Sequence, residues 1–466
     1  MVARGLTGVQ AQSPTRQLAQ FVNEVRYENL TSEVRTRVKD IVLDTIASAL
    51  AGHDASETPK VIALAREIAS SSEASVIGGG RLSVAGATLV NGYLITAVTV
   101  CDIHRPSSCH VTPEVVAPAL VTSEALGSTG RDFIAAIAAG LEVTTRVGLG
   151  LDPVAFRARG WHAPGVTGPF GGAASVGKLL NLDAEQQCFA FGIAGSQSAG
   201  TYAQLGTNTI KFQQSRGALS GLLAARLAQQ NFSAADEILT HPDGGLFSAY
   251  ADGGKPDALL AGLGQDWELM RISLRAWPVA VHLQPVVTGL LSLIAASELD
   301  PGDISEVRVR VSPTAYRMHG TVKWDDRFRA RLSTPYVTAV VIHDRKCWLE
   351  QFTPQRVRDD ALGRFARENV KVSADSDLVD GTTVIEIVST SGKSFREHVT
   401  AAKGEPSNPL THDEIVQKLR SASAGILTHD AAERAIELVS ELEDVRSMRE
   451  LSDCLRTSPE PASVSS

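Results

Sequence analysis

The residues best equipped for chemistry in this chain are histidines, lysines, arginines and a tyrosine in unusual local settings. The run from Asp102 to His110 (DIHRPSSCH) follows an apolar stretch and is bounded by Pro113 and Pro118. It reads as a loop that presents Asp102, His104 and His110, and an imidazole is the natural proton shuttle near neutral pH. A polar surface loop is the plain alternative. Metal ligation by Asp102, His104 and His110 is a third reading, but no further spaced acid or histidine follows to complete a set. A second stretch, Gly160 to Gly172, carries His162 among glycines and two prolines and leads into a helix expected from Ala173. Backbone N–H groups left free ahead of a helix favour an anion. Lys211 and Arg216 stand just ahead of an apolar helix expected over Gly217 to Gln230. Arg275, in Ile272 to Pro278, is followed by His282 and Gln284. Tyr316 lies in the Ser312 to His319 segment. Together these stretches offer cations, imidazoles and a phenol with almost no acids, a balance suited to a polycarboxylate substrate.

The elements that must position these residues are mostly helical up to about residue 268. Thr31 can cap a helix in which Val34, Val38, Ile41, Val42 and Ile46 recur at helical spacing, and Gly52 can end it. Phe133, Ile134, Ile137 and Leu141 repeat the pattern after Thr129-Gly130. Ala and Gly are dense here, and small side chains let helices pack closely in a bundle. The texture then changes. Glu306 to Val311 alternates charged and apolar, the mark of a strand with one wet face. Thr383 to Ser389 and Phe395 to Val399 read as a hairpin, with helices expected over Pro335 to Ile342 and Pro354 to Ala366. Helical pattern resumes over Thr411 to Leu419 and His429 to Leu442. The expected architecture is mainly α: a large, discontinuous all-helical bundle domain (1–268 plus 404–456) with a smaller inserted α+β lid domain (269–403). A disordered tail is expected over 457–466.

Composition narrows the function. The 466 residues carry 44 Lys plus Arg against 52 Asp plus Glu, a net charge of −8, which argues against a nucleic-acid partner. No run of about 18 uncharged apolar residues predicts a membrane span. The N-terminus lacks a secretory core, and five cysteines without a CxxC pair fit reduced thiols, so a cytoplasmic location is expected. Zinc held by cysteine is excluded. Dinucleotide, phosphate-loop, zinc-protease and nucleophile-elbow signatures are all missing.

Taken in order, the stretches resemble the MmgE/PrpD family over nearly the whole chain. The resemblance is carried by Asn91-Gly92 to His110 with the following Val-x-Pro-Ala-Leu helix, and by GWHAPGVTGPFGGAASVGKLLNL (Gly160 to Leu182). It continues through RGALSGLLAARLA (Arg216 to Ala228) and Ser273 to Pro278. LSTPYVTAVVI (Leu332 to Ile342), LEQF (Leu349 to Phe352) and GEPSNPLTHDEI (Gly404 to Ile415) complete it. The resemblance implies a helical domain with an inserted α+β lid, a homodimer, and an active site between the domains that needs no organic cofactor; from the residues themselves no metal is expected. It implies that His110 is a proton shuttle, that His162 and Lys211 match catalytic positions, and that Tyr316 matches the tyrosine after the lid strand. Two departures stand out. Of the family's acid-rich run ahead of the loop histidine only Asp102 survives, and the lysine and tyrosine of its Lys-x-Tyr-Pro motif are Arg275 and Trp277 here.

The expected reaction is removal of a proton next to a carboxylate, with the developing charge held by cations. The first expectation is a lyase: a dehydratase of a citrate-like, 2-methylcitrate-type hydroxy-polycarboxylate. His110, His162, Lys211, Tyr316, Asp102 and His104 are its catalytic candidates, and Arg275, His282, Arg216 and Gln284 bind the small anionic substrate. The alternatives are epimerisation of an iminodisuccinate-type dicarboxylate, decarboxylation of a cis-aconitate-like acid, or a non-catalytic anion-binding role.

Overall fold

The structure, a computed structural model, describes residues 13–297 and 299–457. Residues 458–466 of the expected tail lie outside the described part. Helix dominates, with 21 α-helices and no sheet wider than four strands among the described residues. The fold is mainly α, as the apolar periodicity implied.

Local signals set several elements. Thr31 caps the Ser32–Ala51 helix through its hydroxyl, which accepts from Val34 N at 3.3 Å, and Val38, Ile41 and Ile46 are fully buried. Thr129 and Asp132 form a capping box at the start of the Gly130–Gly150 helix. That helix is long and apolar enough to cross a bilayer, yet its apolar window is 94% buried in the protein. It also carries a buried Glu142–Arg146 pair at 2.5 Å, whose guanidinium donates to the carbonyls of Ala261 and Asp266. It is a core helix.

Small residues set the packing. The Ala163–Leu179 helix lies against both Gly130–Gly150 and Thr209–Gln229. A Cβ placed on Gly221 would stand 2.7 Å from Gly172 Cα and 2.8 Å from Ala173 N, so the two backbones nearly touch. Gly221→Ala must therefore push the helices apart. We expect it to cost about 1–3 kcal/mol, read as a lowered thermal midpoint; an unchanged midpoint would refute this account of the contact.

Two helices begin earlier than their composition suggests. The helix expected from Ala173 starts at Ala163 and contains Pro169, and Lys211 and Arg216 lie inside the Thr209–Gln229 helix rather than ahead of one. Pro164 occupies the first turn, where its missing N–H costs nothing. The glycines that read as breakers are the sites of close helix contact, so burial overrides propensity. The helix expected over Pro354 to Ala366 is split into Pro354–Val357 and Asp360–Glu368, because the Asp359 side chain caps a new start by accepting from Leu362 N.

A second apolar cluster, formed by residues between Val279 and Ile387, surrounds a four-stranded sheet. Its order is Val370–Ala374, Ile304–Val311, Thr383–Ser389, Ser394–Val399, with the first pair parallel and the rest antiparallel. Val307, Val309 and Val311 are buried on the face of the central strand that meets the apolar cluster. Arg308 is on the wet face, paired with Glu306 and Glu386. The Val370–Ala374 edge strand, only five residues with one buried side chain, was not anticipated. After the sheet the chain returns to the first cluster, where His412–Ser423 packs on Ser32–Ala51.

Candidate functional site

The loop ahead of His110 is held from both sides. Ile103–His104 pairs antiparallel with Ile272–Ser273, and His104 and Cys109 exchange backbone hydrogen bonds across the intervening turn. His104 is fully buried, its Nδ1 against Ser107 Oγ at 2.8 Å and its Nε2 against Glu268 at 3.1 Å. The Asp102 carboxylate accepts from Val111 N, Thr112 N and the Thr112 hydroxyl, which fixes the start of the Thr112–Leu126 helix. Burial raises its pKa and these hydrogen bonds pull it down. The Asp102 carbonyl accepts from His110 Nδ1 at 2.5 Å. Loop and histidine are thereby locked together.

His110 opens onto a cavity of about 440 Å³ whose walls come from both apolar clusters. His162, Lys211, Arg275 and His282 line it as well, with Thr99, Arg105, Arg157, Tyr202, Gln214, His319 and Asp380. Backbone strain gathers at its rim: Thr99 and Ser108 are non-glycine residues at φ +65° and +53°. The Thr99 hydroxyl is buried without a partner among the described residues.

Electrostatics make the cavity unusual. Lys211 and Arg275 are 4% and 3% exposed, and neither has a carboxylate partner among the described residues. The Arg275 guanidinium donates to the Cys101 carbonyl and contacts the Cys101 sulfur. Burial, and then Arg275, bring Lys211 down to about 7. Burial, with Arg275 and Lys211, holds His110 well below the usual histidine range. His162 is pushed down to about 4 by burial, while its Nδ1 bonds Gln213 Oε1 at 2.7 Å. Since Gln213 Nε2 donates to Thr201 O, its oxygen accepts, so His162 carries its proton on Nδ1. His110 does the same toward the Asp102 carbonyl. Both rings keep Nε2 without a protein partner among the described residues. Buried cations without carboxylate partners among the described residues, beside neutral imidazoles, are chemically suited to an anion.

The other sequence candidates do not line the cavity. Asp102 and His104 form its loop support. Arg216 donates to the carbonyls of Gln197, Gly165 and Ala199, stapling a turn, and Gln284 donates to those of Trp277 and Val279. Tyr316 is half-buried in the Tyr316–Gly320 turn, and its neighbours Thr314, Met318 and His319 reach the cavity instead. Catalysis was expected of Asp102, His104 and Tyr316, and substrate binding of Arg216 and Gln284. The polar atoms of Asp102, His104, Arg216 and Gln284 are taken up by backbone or by neighbouring side chains, and the turn at Tyr316 presents other side chains to the cavity.

Some residues were missed. Arg157 lies over the Tyr202 ring at 3.4 Å, and nothing in its local sequence signals it. Gln214 shares a helix face with Lys211 three residues before it, a signal that needed the earlier helix start. Lys418, far along the chain, donates to Asp44 at 2.6 Å and to the carbonyls of Val100 and Arg275 at 2.9 Å each, clasping both segments that carry the site. No three His, Cys, Asp or Glu converge as a metal set among the described residues.

A mainly α chain with a cavity lined by cations and imidazoles between two apolar clusters defines the kind of protein, and comparison with known proteins supplies the family. The MmgE/PrpD N-terminal domain matches residues 16–259 and the MmgE/PrpD C-terminal domain residues 277–444. The chain belongs to the MmgE/PrpD family. It is 25% identical to a cis-aconitate decarboxylase of Aspergillus terreus over 96% of this chain and 97% of that protein. It is 26% identical to a cis-aconitate decarboxylase-like protein of Aspergillus oryzae over 94% and 96%, and 24% identical to the cis-aconitate decarboxylase of Homo sapiens over 97% and 96%.

Proposed function

We propose that this chain is a lyase that releases carbon dioxide from a small unsaturated polycarboxylate of the cis-aconitate kind. One observation carries the reading: among the described residues Lys211 and Arg275 are buried without carboxylate partners beside the open Nε2 atoms of His110 and His162. The relatives, matched from end to end, bear the same activity in their names. The segment 269–403 serves as the lid, sending His282, Thr314, Met318 and Asp380 to the cavity.

In such an acid the departing carboxylate hangs from the carbon next to the double bond. The C–CO₂ bond breaks and its electron pair becomes the new double bond. The old π pair takes a proton at the far carbon, and charge builds on the carboxylate attached there. Lys211 and Arg275 stabilise that charge, each well-placed donor being worth roughly 3–4 kcal/mol. His110 is neutral in the empty cavity. The negative charge of the substrate raises its proton affinity, and its Nε2 becomes the acid that delivers the proton.

Dehydration of a citrate-like hydroxy acid is the second reading. It is favoured by the presence of two imidazoles with open Nε2 atoms, one to take a proton and one to protonate the leaving hydroxyl. Incubation in D₂O separates the two. Decarboxylation predicts carbon dioxide from cis-aconitate with one deuterium in the new methylene. New alkene absorbance from a hydroxy-tricarboxylate, with no carbon dioxide from cis-aconitate, would replace it with dehydration. Deuterium entering an unchanged dicarboxylate skeleton would point to epimerisation.

A further inference from the structure

A second pair of imidazoles faces the cavity from the other wall. His282 Nδ1 lies 3.3 Å from His319 Nε2, and His319 Nδ1 lies 3.0 Å from the Leu332 carbonyl. The order of donors follows from the last member. A carbonyl only accepts, so His319 Nδ1 carries a proton and donates it. Neutral His319 then offers a lone pair at Nε2, which His282 Nδ1 must fill as donor. His282 is left with a bare Nε2 that has no protein partner among the described residues, and its ring lines the cavity. His319 is 3% exposed and has both nitrogens engaged, so it has no freedom to turn.

We propose that His319 is a positioning residue that fixes His282 as the Nδ1–H form and thereby makes His282 Nε2 the cavity's proton-gated receptor for one substrate carboxylate. This rests on the carboxylate reading above. A carboxylate cannot bond a bare lone pair, so its arrival brings a proton to Nε2. The resulting imidazolium donates from Nε2 to the ligand and from Nδ1 to His319. Only one ring of the pair is charged, because His319 Nε2 must stay an acceptor. The charged groups facing His282 are Asp380, which favours its protonation, and Arg105, which opposes it. Asp380 also accepts from the Ser312 hydroxyl, and Arg105 is held by Glu405. His110, His162, Lys211, Arg275 and Arg157 line the same cavity. Burial holds His282 down to about 4 and His319 to about 3, so the pair is neutral until a ligand enters.

The test uses ¹⁵N-histidine-labelled full-length protein and tricarballylate, a saturated tricarboxylate that cannot react, with the His282 signals identified by their loss in His282→Gln. The free protein should show His282 protonated at Nδ1 and bare at Nε2, and tricarballylate should protonate Nε2. His319→Phe, which removes the acceptor, should scramble the His282 form and weaken tricarballylate by about tenfold, the worth of one charge-assisted hydrogen bond. His319→Gln, whose carbonyl accepts, should restore both. A free protein protonated at His282 Nε2, a bare Nε2 in the complex, or a wild-type response in His319→Phe would each overturn the inference alone. The first two readings use the wild-type fold and stand even if His319→Phe does not fold. Failure of wild-type protein to bind tricarballylate would overturn the carboxylate reading and this inference with it.

Discussion

Lys211→Met is expected to reduce turnover sharply and, at the same time, to make the unliganded protein more stable. The ammonium of Lys211 is buried without a carboxylate partner among the described residues, and burial has lowered its pKa from 10.5 to about 7. Methionine fills similar space without charge. Replacing buried charge by a well-packed apolar group gains on the order of 1–4 kcal/mol. The sign of the pH dependence is fixed by the direction of the shift. A base whose folded pKa lies below its unfolded value destabilises the fold fully below pH about 7, and the penalty fades as pH rises toward 10.5. The stability advantage of the variant should therefore be largest in mildly acidic buffer and vanish in strongly alkaline buffer, as read from thermal midpoints across pH. Activity should move the opposite way. Loss of one preorganised cation at developing charge costs about 10²–10³-fold in kcat, and the fall in wild-type kcat/KM above pH about 7 should disappear with the group that causes it. A variant that is inactive but less stable than wild type at neutral pH would contradict the picture of an unpaired cation waiting for substrate.

His110→Gln should reduce kcat by about 10²–10⁴-fold, the usual share of general acid–base catalysis, while leaving KM nearly unchanged. Glutamine can still donate to the Asp102 carbonyl, which now holds His110 at 2.5 Å, so the loop need not rearrange. What it cannot do is carry a proton to carbon. Lys211 and Arg275, the cations proposed to bind substrate, stay in place. Steady-state kinetics with single-turnover measurement of proton delivery from solvent would check this. A rise in KM at constant kcat would instead make His110 a binding residue, and the proton would have to come from His162 or Lys211.

Much of this was legible in the chain. The cap at Thr31, the helix that follows Thr129 and the alternation of Glu306 to Val311 appear where local chemistry puts them. Five of the ten candidate side chains, His110, His162, Lys211, Arg275 and His282, meet at one cavity. The other five sit in the same segments, and no local rule separates the two groups. His104 and His110 belong to one short loop, yet one is sealed against Glu268 and the other opens onto the cavity.

The sequence by itself determined the helical character, the sheet with one wet face and the cationic, acid-poor chemistry, because these depend on contacts within a few residues. The tertiary structure decided which side chains face the cavity and in which protonation form. Asp102 binds the helix start beside it, Gln213 orients His162 from 51 residues away, and Lys418 fastens Val100 and Arg275 from 318 and 143 residues away. Such partners are set by how the clusters pack, and burial among unpaired charges, which lowers Lys211 and the histidines, exists only once that packing is complete.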